Sequence, residues 1–157
     1  MSATQAAEPT LESTLEIDAP PAAVWAQVSD LTNMPRWSPQ VRKTFVRGKV
    51  TRQGAELFNF NRRGPLWWPT QAKVVAFEPE RRIAWRIKEN FTIWSLELEP
   101  ADEGRRTRVT QRREAPRGIS TLSVRLTKIA LGGKETFESE LREGMAGTLR
   151  AIAAEVS

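Results

Sequence analysis

The pattern of apolar and polar positions divides this chain into two regimes. Residues 11–17 place Leu11, Ser13, Leu15 and Ile17 on one face and Glu12, Thr14 and Glu16 on the other, the period-two pattern of a half-buried strand. Asp18-Ala-Pro-Pro follows. A proline at a helix start loses only an N–H that has no partner there. Val24, Trp25 and Val28 then predict a short amphipathic helix over 21–29. Asp30-Leu-Thr-Asn-Met predicts a second short helix, capped by Asp30 and stopped before Pro35. Strand-like runs at hairpin spacing come next: 41–47, 55–62, 66–77 interrupted by Pro69, 82–88, 91–99 and 106–115. Turns rich in Gly, Pro, Asn and acids separate them.

From Lys134 the period changes. Phe137, Leu141, Met145, Leu149, Ile152 and Val156 recur every three or four positions, behind Gly132-Gly133, and predict one long amphipathic helix. Gly144 and Gly147 lie inside it. Each costs about 1 kcal/mol relative to Ala at an exposed site, which a close backbone approach or space for a ligand would justify. The order is therefore strand, two short helices, six antiparallel strands, one long helix. That is an α+β architecture: a seven-stranded curved antiparallel sheet around a long C-terminal helix, with the two short helices after strand 1 closing one end. The cleft left between sheet and helix is an ordinary place for a small molecule. Residues 10–157 read as a single domain behind a short disordered leader, 1–9.

Composition narrows the chemistry. The chain of 157 residues contains no His, no Cys and no Tyr. Disulfides, thiolate chemistry, a Ser-His-Asp triad, a His general base and an ordinary His-rich zinc site are all excluded. No metal and no cofactor are expected. Catalysis by the chain alone falls to Asp, Glu, Arg, Lys, Ser, Thr or backbone groups. The net charge of +5 is unevenly placed: residues 1–35 carry five acids and no base, whereas 36–63 carry eight bases and only Glu56. Such a stretch can steer anions, nucleic acid or an anionic membrane. No nucleic-acid motif accompanies it, so a solvated sheet surface is favoured and nucleic acid is not an expected partner. Met1 to Pro9 lacks the basic and apolar regions of a signal peptide, and no apolar run is long enough to span a membrane. A cytoplasmic protein, monomeric or homodimeric, is expected.

With the element order in place, three stretches carry a resemblance: Ile17-Asp-Ala-Pro-Pro-Ala-Ala-Val-Trp25, Asp30-Leu-Thr-Asn-Met-Pro-Arg-Trp37-Ser-Pro39, and Phe137…Leu141…Gly144-Met145…Leu149. Together they resemble the START/Bet v 1-like (SRPBCC) superfamily, and within it the bacterial polyketide cyclase/dehydrase-like group. Gly54…Phe58…Asn61-Arg62-Arg63-Gly64…Trp68 and Glu78-Pro79…Arg82…Trp85 are similar to a subgroup common in actinobacteria. The resemblance covers about residues 10–155. It implies a helix-grip fold with a central apolar cavity, on a scaffold that carries many functions. Cyclases of the family fold a poly-β-keto chain with polar residues such as Arg and Tyr. This chain has no Tyr, and no catalytic residue of those enzymes carries over to it.

Strand alternation selects the inward faces. Phe58 and Phe60 share one with Arg62, opposite Leu57, Asn59 and Asn61. Ile83, Trp85 and Ile87 face in on the next strand but one. Thr92, Trp94, Leu96 and Leu98 follow, then Thr107, Val109, Gln111 and Arg113. Of Trp67 and Trp68 only one can face the cavity, and the family pattern selects Trp68. The helix contributes Phe137, Leu141, Met145 and Leu149. The expected ligand-binding set is Phe58, Phe60, Trp68, Trp85, Trp94, Leu96, Gln111, Arg113, Phe137, Leu141 and Met145; any of the apolar ones can equally be core. Two readings stand for Arg113. It snorkels out near the strand end or pairs with Glu114 or Glu138, or it binds a ligand carboxylate, enol or phosphate. Asn61 is a third polar candidate, with turn chemistry before Arg63-Gly64-Pro65 as its plainer role. Trp37 plugs the small helices against the sheet, with a second role at the portal open to it.

Three function classes remain. The default is a protein that binds a small hydrophobic molecule (a lipid, a polyketide-like or an aromatic compound) in the cavity. The second is a cyclase or dehydratase that works by holding a reactive chain in shape. The third is a regulatory or interaction protein that uses the basic surface at 36–63.

Overall fold

The computed structural model describes the backbone of residues 8–115 and 134–157 and the side chains of 10–115 and 138–157. The described residues form β1 (Glu8–Ile17), α1 (Pro21–Val28), a 3-10 turn (Leu31–Asn33), α2 (Met34–Trp37), β2 (Val41–Val46), β3 (Glu56–Arg63), β4 (Leu66–Glu78), β5 (Arg82–Ile87), β6 (Ile93–Ala101), β7 (Arg106–Ala115) and α3 (Lys134–Val156). The strands make one antiparallel sheet in the order β1-β7-β6-β5-β4-β3-β2. It is a meander from β2 to β7, with β1 returning beside β7. This is the expected α+β helix-grip arrangement: α3 packs across β1 and β7 and against α1 and α2.

Alternation places the core. Ile17 of β1, Leu57 of β3, Val74 of β4, Ile83 of β5, Leu96 and Leu98 of β6 and Val109 of β7 point to one side and pack with Val24, Val28, Leu31, Leu149 and Ile152. The other side of β1, β7 and β6 is a lattice of cross-strand ion pairs. Arg112 bonds Glu12 and Glu97, and Arg106 bonds Glu16. The hydrogen bond that Arg112 donates to Glu12 raises the pKa of its guanidinium above the ordinary value. Partial burial opposes that rise, and the charges of Glu97 and Glu12 add to it.

Four local expectations are corrected. Residues 8 and 9, read as leader, belong to β1, and residues 1–7 lie outside the described residues. The second short helix does not stop before Pro35. Asp30 caps a 3-10 turn, accepting from the Thr32 N–H and hydroxyl, and the chain continues into α2 with Pro35 in its first turn, where the missing N–H is an orphan anyway. Nor does Pro69 break β4. It lies opposite Phe60 of β3, beyond the stretch in which β4 pairs with β5, a pairing that starts at Ala72 and Ile87. Only one of its edges needs ladder bonds, which is where a strand proline is tolerated. Finally, β6 begins at Ile93 and not Phe91. Asn90 accepts from the Thr92 N–H and hydroxyl and holds residues 90–92 in a turn.

Candidate functional site

Among the described residues, α2, α3 and the concave face of the sheet enclose a cavity of about 570 Å³, a volume in which proteins commonly hold drug-sized molecules. Its apolar wall comes from Met34 and Trp37 of α2, Trp68 of β4, Trp85 and Ile87 of β5, Trp94 of β6, and Leu141 and Met145 of α3. Asn59, Asn61, Thr70, Gln111 and Arg113 interrupt that wall with polar groups. Of the expected site residues, Trp68, Trp85, Trp94, Gln111, Arg113, Leu141 and Met145 are brought together here. The Phe137 side chain lies outside the described residues.

Phe58 and Phe60 are placed on the opposite side of the sheet. Both are exposed, whereas Leu57, Asn59 and Asn61 are buried. The reason is hairpin parity. The turn at Gly64 and Pro65 sets Asn61 opposite Trp68 and Arg62 opposite Trp67. If Trp68 faces the cavity, Asn61, Asn59 and Leu57 must face it too, and Phe58 and Phe60 cannot. The turn chemistry and the choice of Trp68 therefore carried the signal that the aromatic character of Phe58 and Phe60 obscured.

The inward amides are held by their neighbours. The Thr44 hydroxyl donates to Asn59 Oδ1 at 2.7 Å, and Asn59 Nδ2 reaches Met34 Sδ at 3.6 Å. Asn61 Nδ2 donates to Thr70 Oγ1 at 3.0 Å and to the Trp68 carbonyl at 3.2 Å. Buried amides are acceptable when hydrogen-bonded, and the result is a fixed polar stripe along β3 and β4 rather than a set of free donors. Asn61 thus has more than a turn role.

Leu96 is also relocated. It is fully buried but packs in the core rather than lining the cavity. Along β6, Trp94 is the residue that lines the cavity among the described residues, and α1 packs on the same strand.

Gln111 and Arg113 sit on the inner face of β7, opposite Leu96 and Trp94 of β6. Arg113 is only 5% exposed and is among the residues that line the cavity, so it does not snorkel into solvent. Gln111 is equally buried, and its Oε1 has no hydrogen-bond partner among the described residues. The same holds for the indole Nε1 of Trp37. Buried polar atoms left without partners are uncommon in folded proteins, and here an acceptor and a donor of that kind both belong to cavity-lining residues.

The cavity edge carries a clasp. Arg63 Nη2 donates to both carboxylate oxygens of Glu140 at 2.8 Å, joining the end of β3 to α3. Both side chains are more than a third exposed, as is Leu66 beside them. Glu140 is the one carboxylate among the described lining residues, and Arg63 holds it. Among the described residues no group of three or more acidic side chains is placed to bind a metal ion, and no helix is long and apolar enough to cross a membrane.

Gly144 lies on the cavity wall. A Cβ there would meet only Pro39 Cγ, at 3.7 Å, an ordinary contact. Of the two justifications open for this glycine, no close backbone approach is present among the described residues, and space in the cavity is. A Cβ at Gly147 would meet only the Arg150 side chain, at 3.8 Å; nothing in the structure explains that glycine.

Comparison with known proteins places this architecture. A family model described as polyketide cyclase / dehydrase and lipid transport matches residues 8–156. A search of curated proteins finds no significant match. Among solved structures, the Zhui aromatase/cyclase from Streptomyces sp. R1128 superposes with a TM-score of 0.72 at 16% identity, over 94% of this chain and 93% of that one. The di-domain ARO/CYC StfQ of the steffimycin biosynthetic pathway gives a TM-score of 0.72 at 15% identity. The match covers 94% of this chain but 50% of StfQ, so this chain spans about half of that protein. The Polyketide_cyc-like protein Cgl2372 from Corynebacterium glutamicum is 25% identical, with a TM-score of 0.58 over 94% and 93% of the two chains. The first two likenesses are likenesses of fold.

Proposed function

The chain belongs to the polyketide cyclase / dehydrase and lipid transport family, and from that premise we propose that it binds a small, largely apolar molecule in the cavity between sheet and C-terminal helix. The observation that carries this reading is the cavity itself: about 570 Å³ walled by four tryptophans, where a close-packed core would leave almost no space. Flat indole walls suit a planar or aliphatic body. The unpartnered Gln111 Oε1 and Trp37 Nε1 call for a ligand with at least one polar group, since a bound donor or acceptor removes the desolvation cost these atoms carry. Trp68, Trp85, Trp94, Leu141 and Met145 supply the apolar contact in this proposal, and Gln111 and Arg113 the polar orientation.

A second reading is a cyclase or dehydratase that acts by positioning its substrate. The buried Arg113 guanidinium on the cavity wall favours it, because a planar fork suits a developing enolate. Proton transfer is the weak point. The chain has no His or Tyr, and the carboxylate that lines the cavity among the described residues is clasped by Arg63. Binding is therefore the reading we adopt.

Native mass spectrometry of the purified protein tests it, alongside thermal-shift titration with fatty acids and polycyclic phenols. A non-covalent adduct, or a stabilisation that Trp85→Ala weakens, is the expected outcome. If no member of the panel binds and nothing co-purifies, the cavity is not a binding site for such molecules.

A further inference from the structure

The outer face of the sheet has two unlike halves. Over β1, β7 and β6 its charges alternate in sign and pair across strands, as with Arg112, Glu12 and Glu97. Over β2, β3 and β4 it is aromatic. Phe45, Phe58, Phe60 and Trp67 are 47%, 38%, 47% and 58% exposed. Phe45 lies opposite Phe58 and Arg62 opposite Trp67, so all four rings share one continuous surface at the sheet edge. Cations frame it. Lys43 Nζ sits 4.9 Å from the Phe45 ring centroid and the Arg62 guanidinium 5.0 Å from that of Trp67. Lys73 lies on the same face, opposite Glu56; the other acid of this half, Glu78 at the far end of β4, pairs with Arg82. None of these three cations has a carboxylate within ion-pair distance among the described residues.

We propose that this face docks on an anionic lipid surface. Four exposed rings in one patch are more than scattered surface apolar residues and mark an interaction site. Phe and Trp bury readily at a bilayer interface, while Lys and Arg beside them reach the headgroups. Two alternatives fit the same face less well. A second copy of the chain would bring like charges together. Single-stranded nucleic acid needs open ring faces for stacking, yet Arg62 covers Trp67, and Phe45 and Phe60 meet edge to face at 84°. The patch also ends at the turn where Leu66 lines the cavity and its neighbour Trp67 belongs to the patch. A bilayer held there lies beside the cavity edge. The inference stands on the outer face alone and does not require the cavity to bind anything.

Vesicle flotation tests it, with phosphatidylcholine alone and with phosphatidylcholine containing one third phosphatidylglycerol, across a salt series. The intact protein floats with the anionic vesicles only, and salt releases it. Each basic residue near an anionic surface contributes about a fivefold factor in partitioning, so Lys43→Glu/Arg62→Glu lowers binding well over tenfold. Phe60→Ser, with its fold checked by circular dichroism, lowers it through the apolar contact. Three outcomes overturn the proposal. The protein fails to float with anionic vesicles; it floats but both variants float as well; or a single-stranded oligonucleotide or self-association, lost in Phe60→Ser, occupies the face in place of lipid. Native mass spectra of the same variants report cavity occupancy separately, so a failure of docking is not a failure of the cavity reading.

Discussion

Gln111→Met separates the cost of the cavity from its use. Gln111 is buried on β7 between Ser13 of β1 and Leu96 of β6, and its Oε1 accepts no hydrogen bond among the described residues. A buried carbonyl without a partner costs about 1–3 kcal/mol. Methionine keeps the length and roughly the volume of glutamine, and such swaps cost little in packing. The ligand-free variant is therefore more stable than the parent by about 1 kcal/mol, which raises Tm by roughly 2–4 °C in a domain of this size. The complex responds in the opposite direction. A ligand that donates to Oε1 loses a bond worth about 0.5–1.5 kcal/mol, so its Kd rises roughly two- to tenfold. Urea and thermal unfolding of ligand-free protein measure the first effect, and titration with a molecule that binds the parent measures the second. If the ligand-free variant is destabilised by as much as a kilocalorie, Gln111 is held by the protein in solution and its amide is not kept for a ligand.

Three further substitutions probe the helix and the rim. Gly147→Ala raises stability by up to about 1 kcal/mol in chemical unfolding, because the added methyl meets no tight contact and the helix gains propensity; a loss would reveal a constraint at that position. Gly144→Leu instead fills the cavity from α3. It should fold with a native far-UV spectrum and bind the same molecule at least tenfold more weakly; unchanged affinity would place the ligand elsewhere. Arg63→Ala opens the clasp to Glu140. Because both side chains are well exposed, stability changes by under about 1 kcal/mol, while the ligand exchange rate in stopped-flow tryptophan fluorescence increases. An unchanged rate would show that ligand does not pass this edge.

The legibility of this chain followed how unambiguous each strand's two faces are. On β7, Arg106, Arg108, Thr110 and Arg112 alternate with Thr107, Val109, Gln111 and Arg113. The ordinary tendency of charges to stay wet cannot orient that strand, yet Val109 and its partners Leu98 and Leu15 do. On β5 the sequence Ile83, Trp85, Ile87 leaves no alternative. On β3, by contrast, Leu57 stands against Phe58 and Phe60, and a count of apolar area favours the wrong side. What decides is a longer-range constraint, the two-residue turn that ties β3 to β4 and makes Trp68 and Asn61 neighbours. Helix boundaries failed for a similar reason: Pro35 reads as a stop only if the helix has already begun, and it had not.

The parity of β3 has a physical consequence. Had Phe58 and Phe60 faced inward, the cavity would have been more aromatic and smaller, and the outer sheet face would have been an unremarkable basic surface. The actual parity spends Asn59 and Asn61 on the inner wall, where Thr44, Thr70 and Met34 satisfy them, and leaves two large rings in water. Phe58 and Phe60 are already more than half covered, so leaving the rest exposed forgoes about 1 kcal/mol for each. Each inward amide would carry a comparable desolvation cost if its partners were absent. A fold that exposes aromatic rings and buries amides on the same strand gains no stability from either choice by itself. Under the two proposals, the two faces of β3 are accounted for by what they meet: a molecule bound in the cavity on one side, and on the other a lipid surface that takes up aromatic rings and cations together. The vesicle and ligand experiments address the two faces independently, and residues 56–63 are where both readings depend on the same eight-residue strand.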